Sequence, residues 1–346
     1  MSSNSTSSTP TLLDANKADE TPLPPPLEGI RRDWEFWIED GNLILVARHI
    51  AFRVYRGLLA EQSSVFADMA VASSKDLYDI FDGCPIAASI LFVYTRDALL
   101  TLNFPGSRLH PKDEKEHACD ELSALARLSH KYQIHDVEKQ ALDLLRETYV
   151  DDFDKWYFAF PSFTDSSVSL PYTHCIGVVN IARLTNTPSL LPSALYFCCA
   201  LGSDLLDSWK REDGCIEHLS IDDLKRCFTA KGRLCHRRVK MMYEVFEDRV
   251  STGCLQANKC CAALREMALS ITREKLPPVA HCEALTGWEN LICTKVCLYP
   301  VCLQCKEELH MRDVRARREL WDKLPEIFEI IVPGWGTTPV NSDVSA

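Results

Sequence analysis

The feature that most constrains this chain is a change of hydrophobic period between residues 40 and 69. Residues 40–42, Asp-Gly-Asn, are a turn signal, and the apolar run 43–46 that follows is long enough for a strand but too short for a helix. Residues 51–55 alternate β-branched and aromatic side chains, which is typical of a second strand. From residue 56 onward the apolar residues follow helical spacing, and the ones we expect mainly in the core are Leu58, Leu59, Val65, Phe66 and Met69. The stretch therefore predicts a β-hairpin that leads into two short helices.

The same stretch carries a family resemblance. The spaced residues that carry it are Phe52, Val54, Tyr55, Arg56, Leu58, Leu59, Ala60, Ser63, Val65, Phe66 and Met69. In this order they resemble the opening of the BTB/POZ domain, a protein-interaction module, and residues 40–47 resemble the branch of that family abundant in fungi. The resemblance implies a small sheet covered by helices.

A helical hairpin is predicted farther along the chain. Its two apolar stripes are Leu122, Leu125, Ala126 and Leu128, then Val137, Ala141, Leu144 and Leu145. Asp136 falls in the first turn of the second helix, where negative charge is favoured. Residues 125–145 resemble the last two helices of the fungal BTB/POZ branch. Together with the opening stretch they bracket a predicted interaction domain at residues 31–150.

The middle of that domain departs from the family pattern. Residues 82–85 resemble the turn that precedes the third strand in the fungal branch, but residues 86–103 lack the acidic loop expected next. Residues 90–94 fit a strand as well as a helix. Whether residues 86–103 complete the sheet is therefore left open.

The remainder of the chain is predicted to be mainly helical. Ser220 precedes two aspartates and is a good helix cap. The predicted helices are 176–184, 190–201, 221–228 and 234–250. The fold class is α+β: a BTB/POZ-like small sheet covered by helices, then a cysteine-rich helical domain at 174–332. The flanking segments are a disordered Ser/Thr/Pro-rich tail at 1–30, a linker at 151–173 and a flexible tail at 333–346.

Charge and hydropathy narrow the class of partner. The 346 residues carry a net charge of −11, which argues against a general polyanion binder and so against nucleic acid. Basic residues gather locally within 231–240 and 312–318, with spacings that suit solvated helix faces. The longest apolar run, 86–94, is far below the roughly 20 residues of a membrane span. With no secretory signal visible, we expect an intracellular protein of the cytoplasm or nucleus.

In such a compartment the sixteen cysteines are expected to be reduced thiols, packing residues or metal ligands. Cys302 and Cys305 have the C-x-x-C spacing that lets two thiolates share one tetrahedral ion. Cys254 with Cys260 would complete a structural zinc site, and Cys293 with Cys297 is the alternative second pair. His281 and His310 are spare candidates. The cofactor prediction is one structural zinc that pins the helical domain, or none, since free cysteines on a helix give the same pattern.

Catalysis has little support in the sequence. The nucleophile-elbow, zinc-protease, phosphate-loop and dinucleotide motifs are all missing from the chain. Cys235-His236 and His281-Cys282 are adjacent pairs, but catalytic Cys and His residues are brought together in space and seldom by adjacency. We therefore expect a protein that is not an enzyme.

Three aromatic residues open the predicted interaction domain. Trp34, Phe36 and Trp37 either pack on the domain's own core or face a partner chain. The BTB/POZ resemblance implies self-association, with a homodimer expected, and in some members recruitment of a cullin-type ubiquitin ligase. The leading interpretation is thus a self-associating adaptor for protein partners. The alternatives are a zinc-stabilised transcriptional or nucleic-acid-associated regulator, and a hydrolase that uses one of the late cysteines.

Overall fold

The computed structural model describes residues 29–47, 49–71, 80–90, 119–159, 173–211, 214–273 and 282–336. Their fold is α+β, a mixed sheet with many helices, as the sequence predicted. Several predictions fall outside the described residues: the tail to residue 28, residues 91–103 of the departing segment, residues 160–172 of the linker, His281, and the tail from residue 337. None of the described helices is long and apolar enough to cross a bilayer.

A five-stranded mixed sheet forms the N-terminal part. Its strands are β1 (Arg31–Trp37), β2 (Leu43–Ala47), β3 (Ile50–Val54), β4 (Ile80–Phe81) and β5 (Cys84–Ile90). Their spatial order is β1-β3-β2-β5-β4. β2 and β3 form the predicted antiparallel hairpin, with Leu45 opposite Phe52.

The central strand β2 explains why its sequence is apolar without alternation. All five of its residues are buried. Leu45 belongs to the main core on one face of the sheet, whereas Ile44 and Val46 pack with Ala51 and Cys84 in a small cluster on the other face. A strand covered on both faces needs apolar side chains at every position.

The departing segment does join the sheet over its described part. β5 runs parallel to β2, with Ala88 opposite Leu45 and Ile90 opposite Ala47. β4 then pairs antiparallel with β5 through a two-residue turn, in which Asp82 and Gly83 both have positive φ. The question left open by the sequence is thus answered for residues 86–90.

Two pairs of helices cover the sheet. They are α1 (Arg56–Gln62), α2 (Ser64–Val71), α3 (Cys119–Lys131) and α4 (His135–Thr148), as the sequence predicted. Ser63, between α1 and α2, donates its hydroxyl to the carbonyl of Tyr132, which lies between α3 and α4 (2.5 Å). Phe66 stacks on Tyr132 with ring centroids 4.6 Å apart. These contacts join the two short helices α1 and α2 to the predicted helical hairpin of α3 and α4.

The C-terminal part is almost all helical. Its helices are α5 (Phe153–Ala159), α6 (His174–Leu184), α7 (Leu191–Ala200), α8 (Ile221–Val245), α9 (Ala257–Thr272), α10 (Glu289–Leu298), α11 (Leu303–Asp322) and α12 (Leu324–Phe328). A short hairpin of β6 (Trp209–Lys210) and β7 (Ile216–Glu217) lies between α7 and α8. Ser220 caps α8 as predicted, since its hydroxyl accepts the Asp223 amide at 3.1 Å. The two helices predicted for 221–228 and 234–250 are a single helix, α8.

Two of the predicted flanking segments need correction. Residues 153–159 of the expected linker form α5, whose Phe153 and Trp156 are buried in the main core. The expected flexible tail begins too early, because Trp335 stacks on Trp321 and donates its indole N–H to the Trp321 carbonyl at 2.8 Å. The main core is continuous from the sheet to α12.

Candidate metal centre

Four cysteines meet where two helices begin. Cys302 is the N-cap residue of α11 and Cys305 lies in its first turn. Cys260 lies in the first turn of α9, and Cys254 belongs to the turn just before it, where its amide donates to the Ser251 carbonyl at 3.0 Å. The structure thus brings together the four residues that the sequence analysis selected.

The distances fit a tetrahedral ion. The four Sγ atoms all lie within 4.8 Å of one another, and those of Cys254 and Cys302 are 3.7 Å apart. Zn–S bonds of about 2.3 Å in a tetrahedron place two sulfurs about 3.8 Å apart, whereas a disulfide needs about 2.05 Å. All four cysteines are free thiols. The cluster could therefore bind a metal ion.

The backbone around the cluster favours thiolates. The Cys302 amide donates to the Cys260 Sγ at 3.3 Å. The Cys305 amide, acting on the Cys302 sulfur, lowers the pKa of that thiol to about 7. Both helix N-termini also direct their partial positive charge at the sulfurs. Negative charge is thus stabilised at Cys302 even before an ion binds.

Burial works in the opposite direction at the inner two thiols. It raises the pKa of Cys305 to about 12 and also raises the pKa of Cys260. A thiol held neutral in this way releases its proton when a divalent cation binds, because the cation offsets the cost of a buried negative charge. Metal binding at this cluster should therefore release protons.

The alternative ligands predicted from the sequence lie elsewhere. Cys293 is on α10, outside the four-cysteine cluster, and forms a second group with Glu289 and His310 whose ligand atoms are all within 4.8 Å. Glu289 was not predicted as a ligand, because one carboxylate among the 49 acidic residues of the chain does not stand out in the sequence.

A buried group of thiols in the helical core was also not predicted. The Sγ atoms of Cys175 and Cys198 are 3.2 Å apart, and the Cys199 thiol donates to the Cys227 carbonyl at 3.4 Å. Hydrogen bonds from Cys198 and Cys199 lower the pKa of Cys227 to about 5. All four residues are buried, so the group fits the packing interpretation of the cysteines better than a catalytic one.

The three N-terminal aromatics divide between core and surface. Phe36 is buried in the main core, Trp37 is half-buried against Phe81, and Trp34 is 82% exposed. The reason is an irregularity in β1, where the register with β3 shifts between Arg32 and Trp37. Asp33 holds it by accepting the Phe36 amide at 2.8 Å, so that Phe36 turns inward.

The basic clusters are the predicted solvated faces only in part. Arg238, Arg312 and Arg317 are buried. Arg312 donates to the carbonyls of Glu247 and Arg249, and Arg317 pairs with Asp313 at 2.8 Å. These guanidinium groups are occupied within the fold and are not available to a phosphate backbone.

Comparisons with models of known protein families, with curated proteins and with solved structures gave no match. The BTB/POZ resemblance of residues 52–69 and 125–145 therefore stays a prediction from the sequence.

Proposed function

We propose that this chain is an intracellular protein-interaction protein of the BTB/POZ type, which self-associates and acts as an adaptor. The observation that carries the proposal is Trp34, an 82% exposed indole on β1. In the sheet that the structure describes, β1 is an edge strand. A sheet edge can pair with a strand of another chain, and tryptophan is enriched among the residues that dominate binding energy.

The neighbouring residues of β1 support the same function. Arg32 lies over the Trp37 ring at 4.7 Å and pairs with Asp82 at 2.7 Å, so the base of the strand is fixed to the β4–β5 turn. Asp33 fixes the irregular turn from which Trp34 projects. An anchor held in place before binding loses less conformational entropy on binding.

Self-association is tested with the full chain and the variant Trp34→Ala. Truncating a central aromatic anchor costs about 2 kcal/mol, and a symmetric dimer loses one anchor in each subunit, so the dissociation constant of the dimer should rise about 1,000-fold. Ile331→Ala is the matched control, because Ile331 is 90% exposed but lies near the C-terminal end of the described fold. Sedimentation velocity over a dilution series measures both. A wild-type chain that stays monomeric at high concentration, or a dimer that is indifferent to Trp34→Ala, would refute the role of β1.

The adaptor role has a separate test. If the chain recruits a cullin-type ubiquitin ligase, a purified cullin N-terminal region should co-sediment with it. If the chain dimerises but does not bind cullin, the self-association proposal stands and the cullin proposal is refuted.

The four-cysteine cluster is proposed to hold one structural zinc. It ties the turn at 251–254 and the start of α9 to the start of α11. Beyond Cys260, helix α9 is held by three apolar residues buried in the main core, Leu264, Met267 and Ile271. Removing the ion should therefore loosen residues 251–260 and 302–305, while the rest of α9 stays packed.

Hydrogen exchange with and without a strong chelator, under reducing conditions, measures this pattern. For a zinc affinity near 1 nM and about 1 µM free zinc, the ion stabilises the fold by about 4 kcal/mol. Uniform exchange behaviour with and without chelator, together with no zinc by elemental analysis, would refute the structural ion.

The zinc-stabilised regulator that binds nucleic acid is the second candidate, since the same cysteine cluster would serve it. The net charge of −11 and the internal use of Arg238, Arg312 and Arg317 weigh against it. A DNA affinity that falls steeply with salt concentration would favour this candidate over the adaptor.

A further inference from the structure

We propose a second, exchangeable metal site formed by Glu289, Cys293 and His310, which binds a divalent cation of the zinc class with an open coordination position. The three ligand atoms all lie within 4.8 Å of one another. This inference does not depend on the proposed adaptor function, nor on occupancy of the four-cysteine cluster.

The helices place the three side chains on facing surfaces. Glu289 is the first residue of α10 and Cys293 lies one turn later, so the two share a helix face. His310 comes from α11, which packs against α10. A ligand pair at i and i+4 on one helix, completed by a histidine from a second helix, is a common way to present three donors to one ion.

The distances are close to those that an ion requires. The Cys293 Sγ lies 3.4 Å from Glu289 Oε1, and the His310 Nδ1 lies 2.7 Å from Glu289 Oε2. Two ligands of a tetrahedral zinc ion lie about 3.3–3.8 Å apart, so the His310–Glu289 pair must open by about 0.6 Å. The Glu289 side chain is 53% exposed and can make that adjustment by rotating.

The donor set selects the class of cation. A thiolate with an imidazole and a carboxylate suits zinc or cobalt, whereas calcium and magnesium prefer oxygen ligands alone. Three protein ligands leave the fourth tetrahedral position to water, as in zinc sites that exchange ligands. Because Glu289 is exposed and His310 is only partly buried, that position faces solvent. The four-cysteine cluster, in contrast, supplies all four ligands and has two buried cysteines.

A Co²⁺ titration of the reduced, full-length chain tests the proposal. Absorbance is followed at equilibrium, and native mass spectrometry counts the bound ions. With the four-cysteine cluster also filled, we expect two ions in the wild-type chain; whether or not it is filled, Glu289→Gln, Cys293→Ser and His310→Ala should each bind one ion fewer than the wild type. Since Cys293 would supply one of five thiolates in total, Cys293→Ser should lower the sulfur-to-cobalt absorption by about one-fifth.

Cys297→Ser is the matched control, because Cys297 is an exposed thiol one turn farther along α10 and is not in the ligand group. It should keep two ions. Circular dichroism of each variant checks that the helices are intact. The proposal is overturned if the wild-type chain binds a single ion that Cys305→Ser removes, or if His310→Ala and Cys293→Ser both retain two. The same mass spectra test the self-association proposal separately, because they give the number of subunits: a chain that is only monomeric would refute self-association without affecting the metal site.

Discussion

Replacing Gly177 with alanine should destabilise the protein, although alanine is normally the better helix residue. Gly177 lies within α6, and a Cβ added there would be 2.0 Å from the Trp209 Cζ3 and 2.5 Å from its Cε3. Real Cβ contacts are essentially never below 3.0 Å, so the rigid indole must move by more than 1 Å. Trp209 is buried and packs edge-on against His174 at 5.2 Å, which leaves it little room.

The magnitude follows from two opposing effects. Overpacking of a well-packed core costs about 1–3 kcal/mol, with the upper end apt for an aromatic ring, and removing a helical glycine gains back about 1 kcal/mol. We expect a net loss of about 2 kcal/mol, or about 4 °C in Tm for a chain of this size.

Gly232→Ala is the matched control. Gly232 lies within α8, and a Cβ there meets nothing within 4 Å. This variant should gain up to about 1 kcal/mol, so the two glycine variants should differ by about 3 kcal/mol in chemical denaturation. Equal effects of the two substitutions, or a stabilised Gly177→Ala, would show that Trp209 does not lie against α6 as described.

Gly177→Ala should also loosen the contact between helix α3 of the N-terminal part and the β6–β7 hairpin of the C-terminal part. Trp209 begins the β6–β7 hairpin, and that hairpin carries Glu217. Glu217 accepts from Arg127 of α3 at 2.7 Å, from Arg211 at 2.9 Å and from Asn180 of α6 at 3.0 Å. Displacing Trp209 should therefore raise hydrogen exchange in α3 as well as in the hairpin.

Two further predictions concern ionisation. In metal-free protein, the rate at which iodoacetamide modifies Cys302 should be half-maximal near pH 7, since the Cys305 amide lowers the Cys302 pKa to about 7. Bound zinc should block this alkylation, which peptide mass mapping measures. Alkylation of Cys302 that zinc does not affect would contradict the metal site. Burial raises the Tyr132 pKa to about 12, above the usual value of about 10. The preference of the fold for the neutral phenol therefore contributes fully to the free energy of unfolding below pH 10. That contribution, about 2–3 kcal/mol, is lost as the pH rises towards 12. Tyr132→Phe should match the wild type in urea unfolding at pH 7 and exceed it at pH 11; the same difference at both pH values would rule out this assignment.

The helices and the central hairpin could be predicted because their hydrophobic periods agree with the structure. Strand β1 could not, because the turn held by Asp33 breaks its alternation and sends Trp34 outward and Phe36 inward. The sequence also divided α8 in two at a polar stretch around Gly232, whereas packing on both sides keeps the helix continuous. At strand β1 and in the middle of α8 the local sequence pattern does not predict the structure, because tertiary contacts determine the backbone there.

The metal centre shows a similar limit. The spacing of Cys302 and Cys305 indicated one pair of candidate ligands, but spacing alone left two candidates for the second pair. The fold decides between them, since it places the turn at Cys254 beside the start of α11 and directs Cys293 towards Glu289 and His310. Glu289 gave no signal in the sequence because the meeting of α10 and α11 is a tertiary event.

The position of Trp321 has a consequence for how the chain is made. Its ring lies 5.1 Å from Trp156 and 6.3 Å from Phe153, which are both on α5. Trp156 is translated 165 residues before Trp321. At about 5–20 residues per second, a ribosome takes about 8–30 s to cover that distance. During this interval Tyr196 and Phe197 of α7 can cover one side of Trp156, but α5 lacks the part of its surroundings that Trp321 supplies. Until α11 has been synthesised, α5 therefore keeps part of its aromatic surface open to chaperones.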